Sequence, residues 1–465
     1  PSVISTCPSF PYPPSYLSYT IMQPAGSLDK FSPAILVSSK FGFVISCIGA
    51  ALGLGNIWMF SYRLGTYGGA VFLIPYFLFV FLLGTTGLIA EFTFGRTFRS
   101  GSMVGIRKVF KSRNLKGSSL IASIPALGLT GIFVFYSIVI GWILKYFSLS
   151  ITGEIKNISP TYFDLFSGSI SSVPWMFLAL IITLSVVYLG VSKGIERLNK
   201  IIMPLLLLLF LILTIKSLSL PNSIKGVEYL LKPKWEFLLD IKTWIMALGQ
   251  AFFTVSLNGC GMVVYGSYTD DKFDIVSSSF ATALFDTLAA MLVAFMIMPA
   301  VFAFGLNPSS GPSLLFITVP SIFKSMPYGN ILSTLFFLSI IFAAISSSVN
   351  MLEGPVEAII SATKLNRKTA SILITLVAFI LAVPLSINID KFNNFTDFIT
   401  IILSPIGAMI VALSVFFLFK GNILAEINKG CKRPLGNWFI LFGKFVFVPF
   451  TILVIILGVL LGGIG

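Results

Sequence analysis

The chain has 465 residues, of which 56% are hydrophobic and 10% charged. A soluble domain carries about 25% charged residues, so a soluble fold is excluded for the bulk of the chain. The net charge of +14 invites a nucleic-acid role, but the basic residues sit in short segments between long apolar runs, and that role is set aside. With no His, and with Cys7, Cys47, Cys260 and Cys431 far apart, a His-based proton relay is excluded and a zinc or redox site is unsupported.

Residues 1–40 are rich in Pro and Ser and lack the basic start and apolar core of a signal peptide. They are expected to form a disordered or cytoplasmic tail. Charge-free runs follow at 41–62, 64–90, 117–144, 165–192, 201–215, 243–269, 275–323 (broken only by Asp286), 325–352, 369–389, 398–419 and 445–465. A membrane helix needs about 20 apolar residues. These runs predict eleven transmembrane helices, an all-α integral membrane protein with the eleventh helix within 434–465.

Alternate loops are basic. Arg96, Arg99, Arg107, Lys108, Lys111, Arg113 and Lys116 follow the second run, and later come Lys193, Arg197 and Lys200, then Lys364, Arg367 and Lys368, then Lys429, Lys432 and Arg433. Lys225, Lys232 and Lys234 weaken the contrast. The positive-inside pattern places the N-terminus in the cytoplasm and, after eleven spans, the C-terminus outside a plasma membrane.

Two runs are poor continuous helices. "GAALGLGNIWMF" (49–60) carries Gly49, Gly53 and Gly55, and "FFTVSLNGCGMVVYGSY" (252–268) carries Ser, Asn and two Gly at its middle. Gly costs about 1 kcal/mol relative to Ala inside a helix. Small residues that permit close helix packing explain one such run. Two runs five spans apart fit an inverted repeat, 41–217 and 241–420, with discontinuous first and sixth helices around a binding site at mid-membrane. Irregular backbone at that depth survives only where it is buried in protein or lines a cavity.

At this point the residues resemble a family. "GAALGLGNIWMFSYRLGTYGGAVFLIPYFL", "KGIERLNKIIMP", "WIMALGQAFFTVSLNGCG…YGSY", "LLFITVPSIF" and "FAAISSSVN" are similar, in order, to motifs of the neurotransmitter:sodium symporters. An eleven-helix version resembles the bacterial sodium-coupled amino-acid transporters of that family.

The resemblance implies two sodium sites. One would use Ala51, Asn56, Thr254 and Asp286, the other Gly49, Leu52, Ala343, Ser346 and Ser347. Oxygen ligands suit a hard cation, although Ser346 to Ser348 taken alone read equally as packing hydroxyls. The substrate carboxylate would meet the broken first helix at Ala51, Gly53 and Gly55 and the hydroxyl of Tyr136. The side-chain pocket would be Ile132, Phe253, Ser256, Gly259, Ser347 and Met351. A Gly at 259, where some relatives carry an aromatic residue, is read as leaving room for a large side chain. Gly53, where monoamine transporters carry Asp, is read as empty space needing the substrate's own anion.

Departures from the family pattern concern the gates. W-R-F-P becomes Trp58, Met59, Phe60 and Ser61, so the usual gate arginine is missing. Arg63, one turn further on, is a candidate replacement pairing with Asp397, and snorkelling to the interface is the other reading of it. A tail Trp and Arg are not visible before Lys40, and an eighth-helix acid is not evident near Ser361. Asp286 is a lone acid in an apolar run, which costs about 2.5–3.5 kcal/mol even on the lenient insertion scale. By resemblance it would ligate sodium and supply the negative charge that chloride supplies elsewhere, so chloride is not required; a protonated acid bonded to a carbonyl stays open.

The sequence therefore predicts a sodium-coupled importer of free hydrophobic or aromatic amino acids, working by alternating access in a lipid bilayer, without catalysis and without nucleic acid. A channel or a permease not coupled to sodium is the alternative.

Overall fold

The computed structural model describes residues 40–159, 161–308 and 314–461. The expected tail lies outside the described residues except for Lys40. Every regular element among the described residues is helical. Among the described residues nine helices are long and apolar enough to cross a membrane unbroken: α2 (Ala70–Phe98), α3 (Ser118–Thr152), α4 (Ile170–Tyr188), α5 (Gly194–Leu218), α7 (Ile275–Ala303), α8 (Gly329–Ala362), α9 (Arg367–Ser386), α10 (Ile389–Leu418) and α11 (Asn437–Leu461). Two more spans are broken. The arms of α1, Gly42–Ala51 and Gly55–Thr66, meet at 60°, and those of α6, Ile241–Thr254 and Gly261–Ser267, are separated by six irregular residues, 255–260. Among the described residues the nine unbroken helices and the bent α1 make ten candidate spans, and the broken α6 takes the sixth place in chain order, so the breaks fall in the first and sixth helices.

Local chemistry sets the helix starts. The side-chain oxygens of Asp240, Asp274, Asn366 and Asn388 each accept a backbone N–H one turn into α6, α7, α9 and α10, satisfying amides that the helix itself leaves free.

Burial separates the core from the rim. The most apolar stretch of α3 is 89% buried within the protein, whereas those of α4 and α11 are 33% and 28% buried. Ile181, Leu205, Leu208, Ile380 and Leu460 are exposed, as lipid-facing side chains must be in a spanning bundle. The central helix α3 packs against α8, α4, α9 and α10. At one end of the bundle Trp142 and Tyr146 of α3 meet Phe316, and Phe316 stacks on Phe163 at 4.5 Å between ring centres. That contact seats the lid-like segment Leu314–Lys324 on α3.

The opposite end is tied together by arginine. Arg96, buried near the end of α2, donates to the carbonyls of Phe273 (2.8 Å), Lys429 (3.2 Å) and Glu426. Arg99 pairs with Asp271 at 2.5 Å, and Arg113 donates to the carbonyl of Leu418 at 2.8 Å. Two of the basic loops and the segment between α6 and α7 therefore share one end, as alternation requires. Hydrogen bonds to a charged group contribute about 1.5–3 kcal/mol each, whereas exposed ion pairs contribute about 0–1 kcal/mol. Arg96→Met is thus expected to lower the thermal unfolding midpoint in detergent by several degrees, and Arg99→Met, which loses one bond to the Thr269 carbonyl and an exposed ion pair, to lower it clearly less. Equal shifts in the two variants would remove the special role given to Arg96.

Candidate functional site

The two breaks face each other, and side chains from the surrounding helices take up the backbone groups they release. In α1, the amide of Leu54 donates to the Tyr136 hydroxyl at 3.0 Å and that of Gly53 to Asn56 Oδ1 at 3.0 Å. Ser347 Oγ donates to the carbonyls of Gly49 (3.2 Å) and Leu52 (3.1 Å). Ser256, held at φ +57° in the α6 break, donates to the carbonyl of Ala50 at 3.1 Å and so links the two breaks directly. In α6, Asn258 Oδ1 accepts the amides of Cys260 and Gly261, both at 2.9 Å, and caps the second arm. Glu91 of α2 accepts the amide of Gly259 at 2.9 Å.

Three residues assigned to the first sodium site converge. Asn56 Nδ2 donates to Asp286 Oδ1 at 2.8 Å and to Thr254 Oγ1 at 3.0 Å, and Thr254 Oγ1 donates to Asp286 Oδ2 at 2.7 Å. All three are buried. Both oxygens of Asp286 are taken by side-chain donors, so the reading in which it binds a backbone carbonyl is not the arrangement seen. Ala51, the fourth residue, lines the adjoining cavity.

The second set also assembles. Ser347 bridges the Gly49 and Leu52 carbonyls, while Ser346 Oγ donates to Asn199 Oδ1 of α5 at 2.6 Å. Ala343 is buried one turn before Ser346 and Ser347 on α8. Both groups consist of neutral oxygens plus at most one carboxylate, a donor set suited to a monovalent hard cation. Among the described residues no cluster of three or more His, Cys, Asp or Glu could hold a metal.

Between the breaks lies a cavity. Ala51, Gly53, Gly55, Ile132, Tyr136, Phe253, Ser256, Ser347 and Met351 all line it, as the sequence reading expected. Leu129, Asn258, Asn350 and Ser404 line it too and were missed. Asn258 and Asn350 are polar positions within apolar runs, and that signal was available. Leu129 carries none, because an apolar residue on an apolar helix does not announce which way it faces.

Three expectations need correction. Gly259 does not line the cavity: its φ is +74°, and a Cβ there would run into the backbone of Gly407. The glycine is required by backbone conformation and close approach, so it frees no pocket volume. The space beside Gly53 is also not open, since a Cβ there would lie 2.7 Å from the Tyr136 hydroxyl and against Ser347 Oγ. Arg63 and Asp397 form no ion pair here. Arg63 is 1% exposed and donates to Gln250 Oε1 at 2.8 Å, with Gln250 donating in turn to the carbonyl of Gly55 at 3.2 Å. Asp397 is exposed on α10. The face of the outer α1 arm that carries Arg63 looks inward at α6, which also excludes snorkelling.

The acid sought near Ser361 is present in another form. Glu357, one turn earlier, accepts the Ser361 hydroxyl. Glu353 pairs with Arg367 of α9 at 2.6 and 2.8 Å and accepts the hydroxyl of Tyr268, next to the second arm of α6.

The model of the sodium:neurotransmitter symporter family matches residues 36–160 and 167–461. The chain belongs to this family. It is 33% identical over 446 residues to an uncharacterized sodium-dependent transporter of Bacillus subtilis, YhdH, covering 91% of this chain and 97% of that protein. The rat sodium-dependent neutral amino acid transporter B(0)AT3 is 30% identical over 287 residues, covering 54% of this chain and 45% of that one. The crystal structure of MhsT in complex with L-phenylalanine superposes with a TM-score of 0.81 at 34% identity, covering 91% of this chain and 99% of MhsT. The chain is accordingly a multi-pass member of a sodium-dependent transporter family.

The geometry at Gly259 separates a pocket role from a backbone role. Gly259→Phe is expected to lower the thermal midpoint and the amount of folded protein sharply, and any folded fraction should keep the substrate preference of the parent. A stable variant that merely shifts preference towards smaller side chains would restore the pocket reading.

Proposed function

We propose that this protein takes up free hydrophobic amino acids, aromatic ones included, by sodium-coupled alternating access, with two sodium ions bound beside the substrate. The observation that carries the reading is the convergence of Asn56, Thr254 and Asp286 behind the α1 break, where Asn56 holds the amide of Gly53, while the break itself lines a cavity together with Tyr136. A zwitterion fits such a cavity, its carboxylate between the α1 amides and Tyr136, its ammonium against carbonyls of the breaks, its side chain against Ile132, Phe253 and Met351. MhsT, which binds L-phenylalanine, supports an amino acid with an apolar side chain as the substrate class.

The residues present fit sodium after one local change. Asn56 turns its donor end towards Thr254 and Asp286 while its oxygen holds the amide of Gly53. Turning that amide over would present three oxygens to one point and release the Gly53 N–H towards a substrate carboxylate. Sodium and substrate binding would then be coupled through one side chain. Two sodium ions bring in the membrane potential at about 2.3 kcal/mol per charge per 100 mV. Asp286 supplies a fixed negative charge at the first site, so chloride is not needed.

Residues 41–217 and 241–420 are taken as the two halves that rock about this site. The basic end of the bundle is assigned to the cytoplasm, at a plasma membrane, with the C-terminus outside. The Glu353–Arg367–Tyr268 cluster lies at that end.

In proteoliposomes with an inward sodium gradient, uptake of phenylalanine or leucine is expected to be saturable and concentrative, and to disappear when potassium replaces sodium. Equal flux in potassium, or flux that never exceeds equilibration, would instead support a permease or a channel. Gluconate in place of chloride should leave uptake unchanged. Asp286→Asn should raise the sodium concentration needed for half-maximal uptake at least tenfold or make uptake depend on chloride; unchanged sodium dependence without chloride would remove Asp286 from coupling. Tryptamine and tyramine should compete far less well than tryptophan and tyrosine, and equal competition would contradict the placement of the carboxylate.

A further inference from the structure

A second cavity opens away from the substrate site, at the end of the bundle opposite the arginine ties. Its walls are the last turns of α5 and α7, the short helix Val319–Lys324 and the first turns of α8. Leu213, Met296, Ile297, Ile322, Phe323 and Phe336 make the lining almost wholly hydrocarbon. Two polar side chains interrupt it, Lys216 and Ser217, side by side on α5.

Neither has an evident structural partner. Lys216 is half-buried and takes part in none of the ion pairs among the described residues. Ser217 is 4% exposed, and its hydroxyl has no hydrogen-bond partner. A buried hydroxyl left without a partner costs about 1–3 kcal/mol, and most serines in these helices avoid that by bonding a carbonyl one turn back, as Ser137 and Ser150 do. Small-molecule sites have apolar walls and a few placed polar groups, and this cavity has both. Its surroundings also open to lipid, since Ile212, Ile215 and Leu218 on α5 and Ile331 on α8 are exposed.

We infer that this cavity binds a single-chain amphiphile with an anionic head, a long-chain carboxylate, entering from the bilayer. The hydrocarbon chain would lie against α7, α8 and the short helix. The carboxylate would accept from the Lys216 ammonium and the Ser217 hydroxyl, giving both groups the acceptor they lack. A single apolar groove beside one pair of polar groups favours a one-chain fatty acid over a two-chain phospholipid. The inference does not depend on what the protein transports.

Equilibrium binding of radiolabelled palmitate and of hexadecanol to the protein in phosphatidylcholine nanodiscs tests it. Palmitate should bind saturably at one site per chain. Lys216→Met should weaken palmitate at least tenfold and leave hexadecanol unchanged, so the alcohol serves as the folding control. Ala300→Phe, which fills the cavity, should weaken both. Non-saturable palmitate binding, or equal palmitate affinity in the parent and Lys216→Met, overturns the site. Displacement of palmitate by phosphatidylglycerol at equal potency overturns the single-chain assignment.

Discussion

Backbone polar groups in a hydrocarbon medium have no water to turn to, and every part of this site follows from that constraint. A continuous helix meets it internally, and a broken one does not. Once α1 opens after Ala51, the carbonyls of Gly49, Ala50 and Leu52 and the amides of Gly53 and Leu54 must be matched by side chains. Ser347, Ser256, Asn56 and Tyr136 do so, coming from α8, α6, α1 itself and α3. The break in α6 makes the same demand, met by Asn258 and Glu91. Four of these side chains, Ser347, Ser256, Tyr136 and Asn258, also line the cavity, so fold and site share interactions.

That sharing has a dynamic consequence. Side-chain hydrogen bonds that substitute for helical ones contribute about 0.5–1.5 kcal/mol net, so each can be exchanged for a ligand contact at small cost. The Asn56 amide, the Ser347 hydroxyl and the Tyr136 hydroxyl each hold a backbone group that an ion or a substrate also interacts with. Packing elsewhere is less exchangeable: α3 and α8 bury long apolar surfaces against each other, and burial of one large apolar side chain contributes about 1.5–3 kcal/mol. The bundle therefore combines a rigid apolar frame with two polar joints at its centre.

Charge is used differently at the two ends. Arg96 and Arg367 gather carbonyls and a carboxylate at the basic end, joining α2, α6, α8, α9 and the loops between them. Arg63 is carried into the interior, where Gln250 relays it to the carbonyl of Gly55. The missing gate arginine is thus not simply moved one turn along to face Asp397, because burying a guanidinium requires acceptors close by, and Gln250 on α6 is one of them.

The sequence by itself determined the eleven spans, the basic end and the two breaks, because each is written in local composition, whereas the trio Asn56, Thr254 and Asp286 followed from the resemblance of its motifs to the family. Charge-free runs, glycine clusters and polar residues within apolar runs carry physical meaning without any knowledge of neighbours. Tertiary structure alone decided which way a side chain faces and what it meets. Gly259 reads as freed volume in the sequence, yet its positive φ and the backbone of Gly407 make it a conformational requirement. Arg63 reads as a gate, yet the orientation of its helix buries it against Gln250. Leu129 is one apolar residue among many until α3 is set at the centre of the bundle. Facing is a property of packed pairs of helices, and the apolar pattern of a span that is buried on several sides holds no record of it.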